Sequence, residues 1–305
     1  MRSVWFHRDF RGYSGGHGKV YDYFSHVAAH PAFQPRLYFT PESVDADNPW
    51  LRARVPVERD WRPDTADVLF LGGMDWLAVP DDRSARPVIN LVQHVRHADP
   101  AQPLRAFLSR RAVRICVSRP VADAIQATGR VNGPVAVIEA GLALPEAPAV
   151  RRVPGRIFIA AAKQPDLGAA LADRLVAEGG DVDLCIAWTT REAFLHRLAM
   201  AERAVMLPFA TEGFFLPGLE AMALGAASVV PDCTGNRDYL VPGVNALAPR
   251  LALDDVAAAV RALDDPALRT RIAAAGLDTA QRFTLDRERA AFHSVLDRLD
   301  ELWAS

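Results

Sequence analysis

The sequence predicts an α/β protein of two domains, each built on a parallel sheet covered by helices on both faces. Three observations predict it. Strand-length apolar runs alternate with stretches of helical periodicity along the chain. One proline- and alanine-rich stretch, residues 143–155, breaks that alternation, which then resumes. The chain is 305 residues long, enough for two domains of about 100–200 residues.

In the first half, Val4-Trp5-Phe6 reads as a short strand. The glycine-rich stretch Arg11–Lys19 follows, and then Val20, Tyr21, Tyr23, Phe24, Val27 and Ala28 at helical spacing. A glycine loop between strand and helix lets backbone amides approach an anion or a sugar. It is not a phosphate-binding Walker loop, since no glycine stands five positions before Gly18 and Val20 occupies the Ser/Thr position. Further strands are expected at 35–39, 67–72, 87–92, 113–117 and 135–138. Ser118 is placed to cap a helix over 118–128 with Pro120 near its start. Ligands of such sheets bind beyond the carboxyl ends of the strands. That rule selects Gly15 and Gly16 after the first strand, Gly72 and Gly73 after the third, and His94 after the fourth. The arginines 105, 110, 111 and 114 read as a solvated basic face, and His97 as an ordinary hydrogen-bonded histidine.

After 143–155 the series restarts with strands at 156–161, 182–187, 204–207 and 228–230, and helices at 166–178 and 191–201. Amphipathic helices are expected at 256–263, 266–275 and 287–302, the last with Ala291, Val295, Leu299 and Leu302 on its core face. Within this half, the apolar run 204–208 leads into Thr211–Ala223, a strand, a tight loop and a helix start. Pro217 suits the first helical turn, where its missing N–H has no partner to lose. Glu212 then lies in the loop and Glu220 one turn into the helix, with the amides of 214–218 free between them. A helix N-terminus attracts phosphate, and a carboxylate beside it can accept hydrogen bonds from a sugar diol.

Composition restricts the partners. Half of the residues are hydrophobic, 24% are charged and the net charge is −2, so nucleic acid is not expected as a partner. No run of about 18 apolar residues and no signal segment stand out, so a cytoplasmic protein is expected, with at most peripheral contact with the inner face of a membrane. Cys116, Cys185 and Cys233 lack metal-ligand spacing; they read as buried thiols, and no metal site is expected. The lysines are Lys19 and Lys163 in an otherwise arginine-only background. Base composition explains that bias as well as function does, yet each retained lysine points mildly to a site wanting a compact ammonium.

Glu212 through Ala223 resembles the E-G-F-(G/S)-L-P-x-L-E-A-M-A element of the GT-B glycosyltransferases, specifically the large retaining family 4. Smaller echoes are Ile115–Ser118, Val137–Leu142 and Tyr239–Leu247. The resemblance spans nearly the whole chain, but the Glu-x7-Glu element alone is specific. It implies a GT-B fold: two Rossmann-like domains facing each other across a cleft, residues 1–145 on the acceptor side and 154–285 binding the nucleotide sugar. A C-terminal helix, 286–305, would pack back on the first domain. The second domain is abbreviated, because 163–188 has room for one helix and one strand.

By the same resemblance the chain is a hexosyltransferase-type enzyme moving a sugar, with retention and without metal or other cofactor, from a UDP- or GDP-sugar. The acceptor would be a glycan, a lipid-linked sugar or a small molecule. Glu220 would hold the ribose and Glu212 the sugar, with Gly213 and the amides of Phe214, Phe215 and Leu216 near sugar and diphosphate. Gly15, Gly16 and His94 would line the opposite wall, Lys163 would neutralise the diphosphate, and Trp188 and Thr189 would meet the base. Two departures stand at the centre of the site. Phe215 replaces a small residue, which narrows the sugar pocket, and the arginine that accompanies the lysine is an alanine here. These leave open the alternative of a non-catalytic GT-B-like subunit that binds a nucleotide or partner without turnover.

Overall fold

Unbroken apolar runs become strands that are buried on both faces, and this accounts for most of the architecture. A computed structural model describes residues 1–80, 86–142 and 150–304. The chain divides into two compact units, Met1–Gly141 with Leu285–Ser305, and Leu142–Thr284. Most of the expected linker, 143–149, lies outside the described residues.

In the first unit β1 (Arg2–Arg8), β2 (Phe33–Phe39), β3 (Val68–Gly72), β4 (Val88–Val92), β5 (Val113–Cys116) and β6 (Val135–Val137) form a parallel sheet. Their order is β2-β1-β3-β4-β5-β6. Phe6 stands opposite Leu37 on one side and Phe70 on the other, and β3 and β4 are buried along their whole length. The helices of this part are α1 (Gly15–Ala28), the short α2 (Pro49–Arg52) and α3 (Arg119–Gln126). Ser118 caps α3 by accepting the Val121 amide at 3.3 Å, with Pro120 in the first turn.

The second unit contains β7 (Ile157–Ala160), β8 (Val182–Cys185), β9 (Arg203–Met206) and β10 (Ala227–Val229), in the order β10-β9-β7-β8 and all parallel. Its helices are α4 (Pro165–Ala177), α5 (Arg191–Ala199), α6 (Leu216–Ala223), α7 (Leu253–Ala262) and α8 (Pro266–Ala280). Between Lys163 and Trp188 there is one helix and one strand, α4 and β8, the abbreviation that the sequence suggests. Among the described residues no helix is long and apolar enough to cross a membrane.

The chain then returns to the first unit as α9 (Leu285–Asp297) and α10 (Leu299–Ala304). The single helix expected over 287–302 is divided by a turn at Arg298, and the buried face is Phe292, Val295, Leu296 and Leu299 rather than one through Ala291. Phe292 packs edge-on to Tyr23 of α1, ring centroids 4.8 Å apart.

Two expectations about basic residues are corrected. Lys19 does not face a ligand site. It is buried, and its Nζ donates to Glu288 Oε2 at 2.6 Å and to the Gly141 carbonyl at 2.8 Å, with Asp22 Oδ2 at 2.8 Å. Glu288 also accepts the Gly141 amide at 2.9 Å. Burial by itself would raise the Glu288 pKa, but the neighbouring His26 and Lys19 outweigh it and hold the carboxyl below its ordinary value. The basic cluster is likewise not a solvated face. Arg114 is fully buried, and its guanidinium donates to the carbonyls of Asn132, Leu108, Arg110 and Phe107, three of which also accept a backbone amide. Arg110 donates to the carbonyls of Trp76, Val79 and Pro80.

Removing one member of a buried ion pair strands the other. Lys19→Met is expected to cost about 3–5 kcal/mol in urea unfolding. Because the folded pKa of Glu288 is depressed, its stabilisation is complete above the unfolded carboxylate value and is lost as pH falls below it. Glu288→Gln should therefore be less stable at neutral pH and should lose less stability than the parent on acidification.

Candidate active site

Both sheets reverse direction beside their first strand. From β7 the chain goes to β8 on one side and to β9 on the other, so the carboxyl ends of β7 and β9 flank the reversal, where open parallel sheets bind ligands. Ala160 pairs with Met206, and the loops leaving the two strands therefore start side by side. Each loop delivers one charged side chain. Lys163 Nζ meets Glu212 Oε1 at 2.5 Å, and the same oxygen accepts the Phe209 amide at 3.1 Å. The ammonium also lies 5.0 Å from the centroid of the Phe215 ring and 5.7 Å from that of Phe209, within cation–π range.

Glu212 is held from behind by the loop after β10. Its amide donates to Thr234 Oγ1 at 2.7 Å, and that hydroxyl donates to the Glu212 carbonyl at 2.6 Å. Gly235 is packed so closely that a Cβ there would lie 2.6 Å from Glu212 Cβ and 3.0 Å from the Phe215 amide nitrogen. Glu220, one turn into α6, is 2% exposed and is bonded by Arg191 from the first turn of α5.

One expectation for the 213–216 segment is corrected. The amides are not all free: Phe215 donates to the Gly235 carbonyl at 2.8 Å and Leu216 to the Phe214 carbonyl at 3.0 Å. The Phe215 ring is buried with one face against the Lys163 ammonium, and Tyr239 fixes the Phe215 carbonyl with a 2.6 Å hydrogen bond. Gly213 is buried, while the half-buried Phe214 ring leans on Tyr239 and Phe283. Trp188 and Thr189 are exposed in the loop between β8 and α5, Trp188 by 79%.

The first-unit candidates lie along the carboxyl edge of their own sheet. Gly15 and Gly16 belong to the first turn of α1, capped by Ser14, rather than to a loop before it. Gln93, next to His94, donates to the Gly16 carbonyl at 3.2 Å. His94 Nδ1 accepts the Arg96 amide at 3.0 Å and so caps a 3₁₀ turn at Val95–Ala98. His97 is buried, and burial followed by the nearby His94 and Arg96 pushes its pKa down to about 4, so it is neutral at pH 7.

Arg191 was not singled out in the sequence. No local signal selects it, because it opens a helix 29 positions before Glu220. Arg8 and Asp75 were missed too. They meet at 2.6 Å across the reversal of the first sheet, between β1 and β3, and Arg8 also bonds His17 Nδ1 at 2.9 Å. Burial, and then Arg8, brings His17 down to about 4.

Comparison with solved structures decides the fold. HepE from Anabaena, determined with UDP and glucose, superposes with a TM-score of 0.76 at 15% identity, covering 98% of this chain and all of that one. Sucrose-phosphate synthase from Thermosynechococcus elongatus matches at a TM-score of 0.71 and 12% identity over the full length of both chains. A glycosyltransferase from Rickettsia africae ESF-5 follows at 0.67 and 11%, over 99% of this chain and 98% of that one. The fold is GT-B. At such identities the likeness establishes the fold alone. No family model matches the sequence, and no curated protein matches it. Within the GT-B chain the reversal of each sheet carries a cation and a carboxylate in contact, Arg8–Asp75 and Lys163–Glu212.

Gly235 supplies a direct test of the second of these. Gly235→Ala places a methyl group where Glu212 and the Phe215 amide now lie. It should cost about 1–3 kcal/mol in thermal or urea unfolding, as overpacking of a tight contact does. Gly243→Ala, whose Cβ would meet nothing within 4 Å but whose φ is +74°, serves as a control for backbone strain alone.

Proposed function

We propose that the protein is a retaining glycosyltransferase, moving a sugar from a nucleoside diphosphate sugar to an acceptor hydroxyl without metal. The observation that carries the proposal is the contact between Lys163 and Glu212 at the reversal of the second sheet, beside the buried Glu220. The GT-B fold supports it, as does the fact that HepE has been solved with UDP-glucose. The match of Glu212–Ala223 to the family 4 element also supports it.

In this reading Glu220 accepts hydrogen bonds from the ribose diol. Glu212 orients the sugar hydroxyls, and its carboxylate is already immobilised by the Phe209 amide and by Thr234 behind its backbone. As the bond between the anomeric carbon and the diphosphate oxygen breaks, negative charge grows on the leaving oxygens. Lys163 stabilises that charge, a role worth about 3–4 kcal/mol of barrier for one well-placed donor. The Phe215 and Leu216 amides are already engaged, so the side-chain cation carries more of this work than a helix start would. Retention follows if the acceptor attacks from the face the diphosphate leaves, giving up its proton to a departing phosphate oxygen. Gly15, Gly16 and His94 are assigned to the acceptor-side unit, and Trp188 with Thr189 to the base. Acceptors of this chemistry include a polysaccharide, a glycolipid and a small molecule.

Isothermal titration with UDP, GDP and their sugars tests the proposal. The parent protein should bind at least one of them, and Glu220→Ala should weaken that binding severalfold to tenfold or more. Binding without hydrolysis or transfer would favour a non-catalytic GT-B subunit, and no binding of any nucleotide would exclude both. Lys163→Ala should lower kcat about 10²–10³-fold in a folded protein; unchanged turnover would remove Lys163 from the mechanism.

A further inference from the structure

The segment that leaves β9 carries an aromatic ring into water beside the charge pair. Leu207 is still in the core and Pro208 is buried, but the next residue, Phe209, keeps 49% of its surface exposed. Among the described residues it is the single phenylalanine that is exposed. Its ring centroid lies 5.7 Å from Lys163 Nζ, and its amide donates to Glu212 Oε1 at 3.1 Å. From this geometry we infer that Phe209 is the platform on which the sugar ring of the donor stacks, and so helps to select that sugar, a role that rests on the donor-site reading above.

The ring is held in water by its own backbone. The Pro208 carbonyl accepts Gln164 Nε2 at 3.0 Å, the Phe209 amide is engaged by Glu212, and the Ala210 carbonyl accepts the Thr234 amide at 3.2 Å. Pro208 adds a fixed φ just before the ring. Turning the side chain inward would break that run of contacts. A lone exposed phenylalanine elsewhere on a surface needs no explanation. This one is fixed beside both of the groups that the donor-site reading assigns to the sugar and the diphosphate, whereas Phe215, the other ring beside the same ammonium, is buried.

A pyranose carries hydroxyls around its rim and C–H bonds on its faces. A carboxylate matches the rim by accepting hydrogen bonds, and an aromatic face matches the C–H surface by apolar contact. Phe209 and Glu212 supply one of each, three positions apart in one loop. Covering the ring also removes apolar surface from water, which a diphosphate cannot do. A nucleobase would stack as well, but in a nucleotide sugar the base is separated from the sugar by the diphosphate and the ribose. Phe209 is tied to Glu212, the carboxylate assigned to the sugar, so the sugar is the ring that meets it.

Titration of the parent and of Phe209 variants with UDP and GDP, and with a panel of sugars linked to each, tests the assignment. For the sugar nucleotide that the parent binds most tightly, Phe209→Ala should weaken binding about 5- to 30-fold, and should weaken the corresponding free diphosphate by less than about 3-fold. Phe209→Leu, which keeps apolar surface without a flat face, should lose part of that affinity, and Phe209→Tyr should stay within about 3-fold of the parent for both ligands. Should Phe209→Ala fail to fold, the comparison of Phe209→Leu with Phe209→Tyr carries the test. Unchanged affinity for the sugar nucleotide in Phe209→Ala and Phe209→Leu would overturn the assignment. So would an equal loss for sugar nucleotide and free diphosphate, which would mean that the ring acts only by positioning Lys163. In both cases the donor-site reading survives, because the parent still binds. A parent protein that binds neither diphosphate and none of their sugars would overturn that reading, and this inference with it.

Discussion

A parallel sheet that sends its second strand one way and its third the other must leave two neighbouring strand ends without a shared crossover to cover them. Both sheets of this protein do so, and in both the gap is spanned by a cation touching a carboxylate, Arg8 with Asp75 and Lys163 with Glu212. The two contacts differ in what surrounds them. Arg8 and Asp75 are each buried, and Asp75 also accepts the Gly72 amide at 2.9 Å, so that pair is built into the sheet edge. Lys163 keeps 19% of its side chain exposed and rests against two aromatic rings rather than against further carbonyls. The first contact is closed on all sides; the second leaves part of its cation open to solvent.

Glu212 is buried, so its carboxylate depends on the partners that hold it: Lys163, the Phe209 amide and, through its backbone, Thr234. Gly235 is what allows those two loops to come so close. The loop is thus held through its backbone as well as through its charge pair.

The alternation of strands and helices, and the loop from Glu212 to Glu220, were legible because each is local. A strand buried on both faces shows as an apolar run, and a strand–loop–helix unit keeps its chemistry within a dozen residues. Features that join distant segments were not. Arg191 reaches Glu220 across 29 positions, and nothing in the periodicity of α5 marks its first residue as a partner. Arg114 was misread because a charged residue in a short strand signals exposure, although here the surrounding carbonyls of one turn receive its guanidinium. The direction of the Phe215 side chain depends on Tyr239 and Gly218, neither of which could be placed against it beforehand. Lys19 was legible as unusual but not as structural, since Glu288 lies 269 positions away.

That last separation bears on how the chain is made. The second unit is one continuous segment, Leu142–Thr284, whereas the first is completed only by α9 and α10. Domains emerging from the ribosome fold as their residues become available. The second unit can therefore close while the first still lacks Glu288 and Phe292, leaving Lys19 without its main countercharge and Tyr23 without its covering ring. The first unit thus closes after the second, once residues 285–305 have been synthesised.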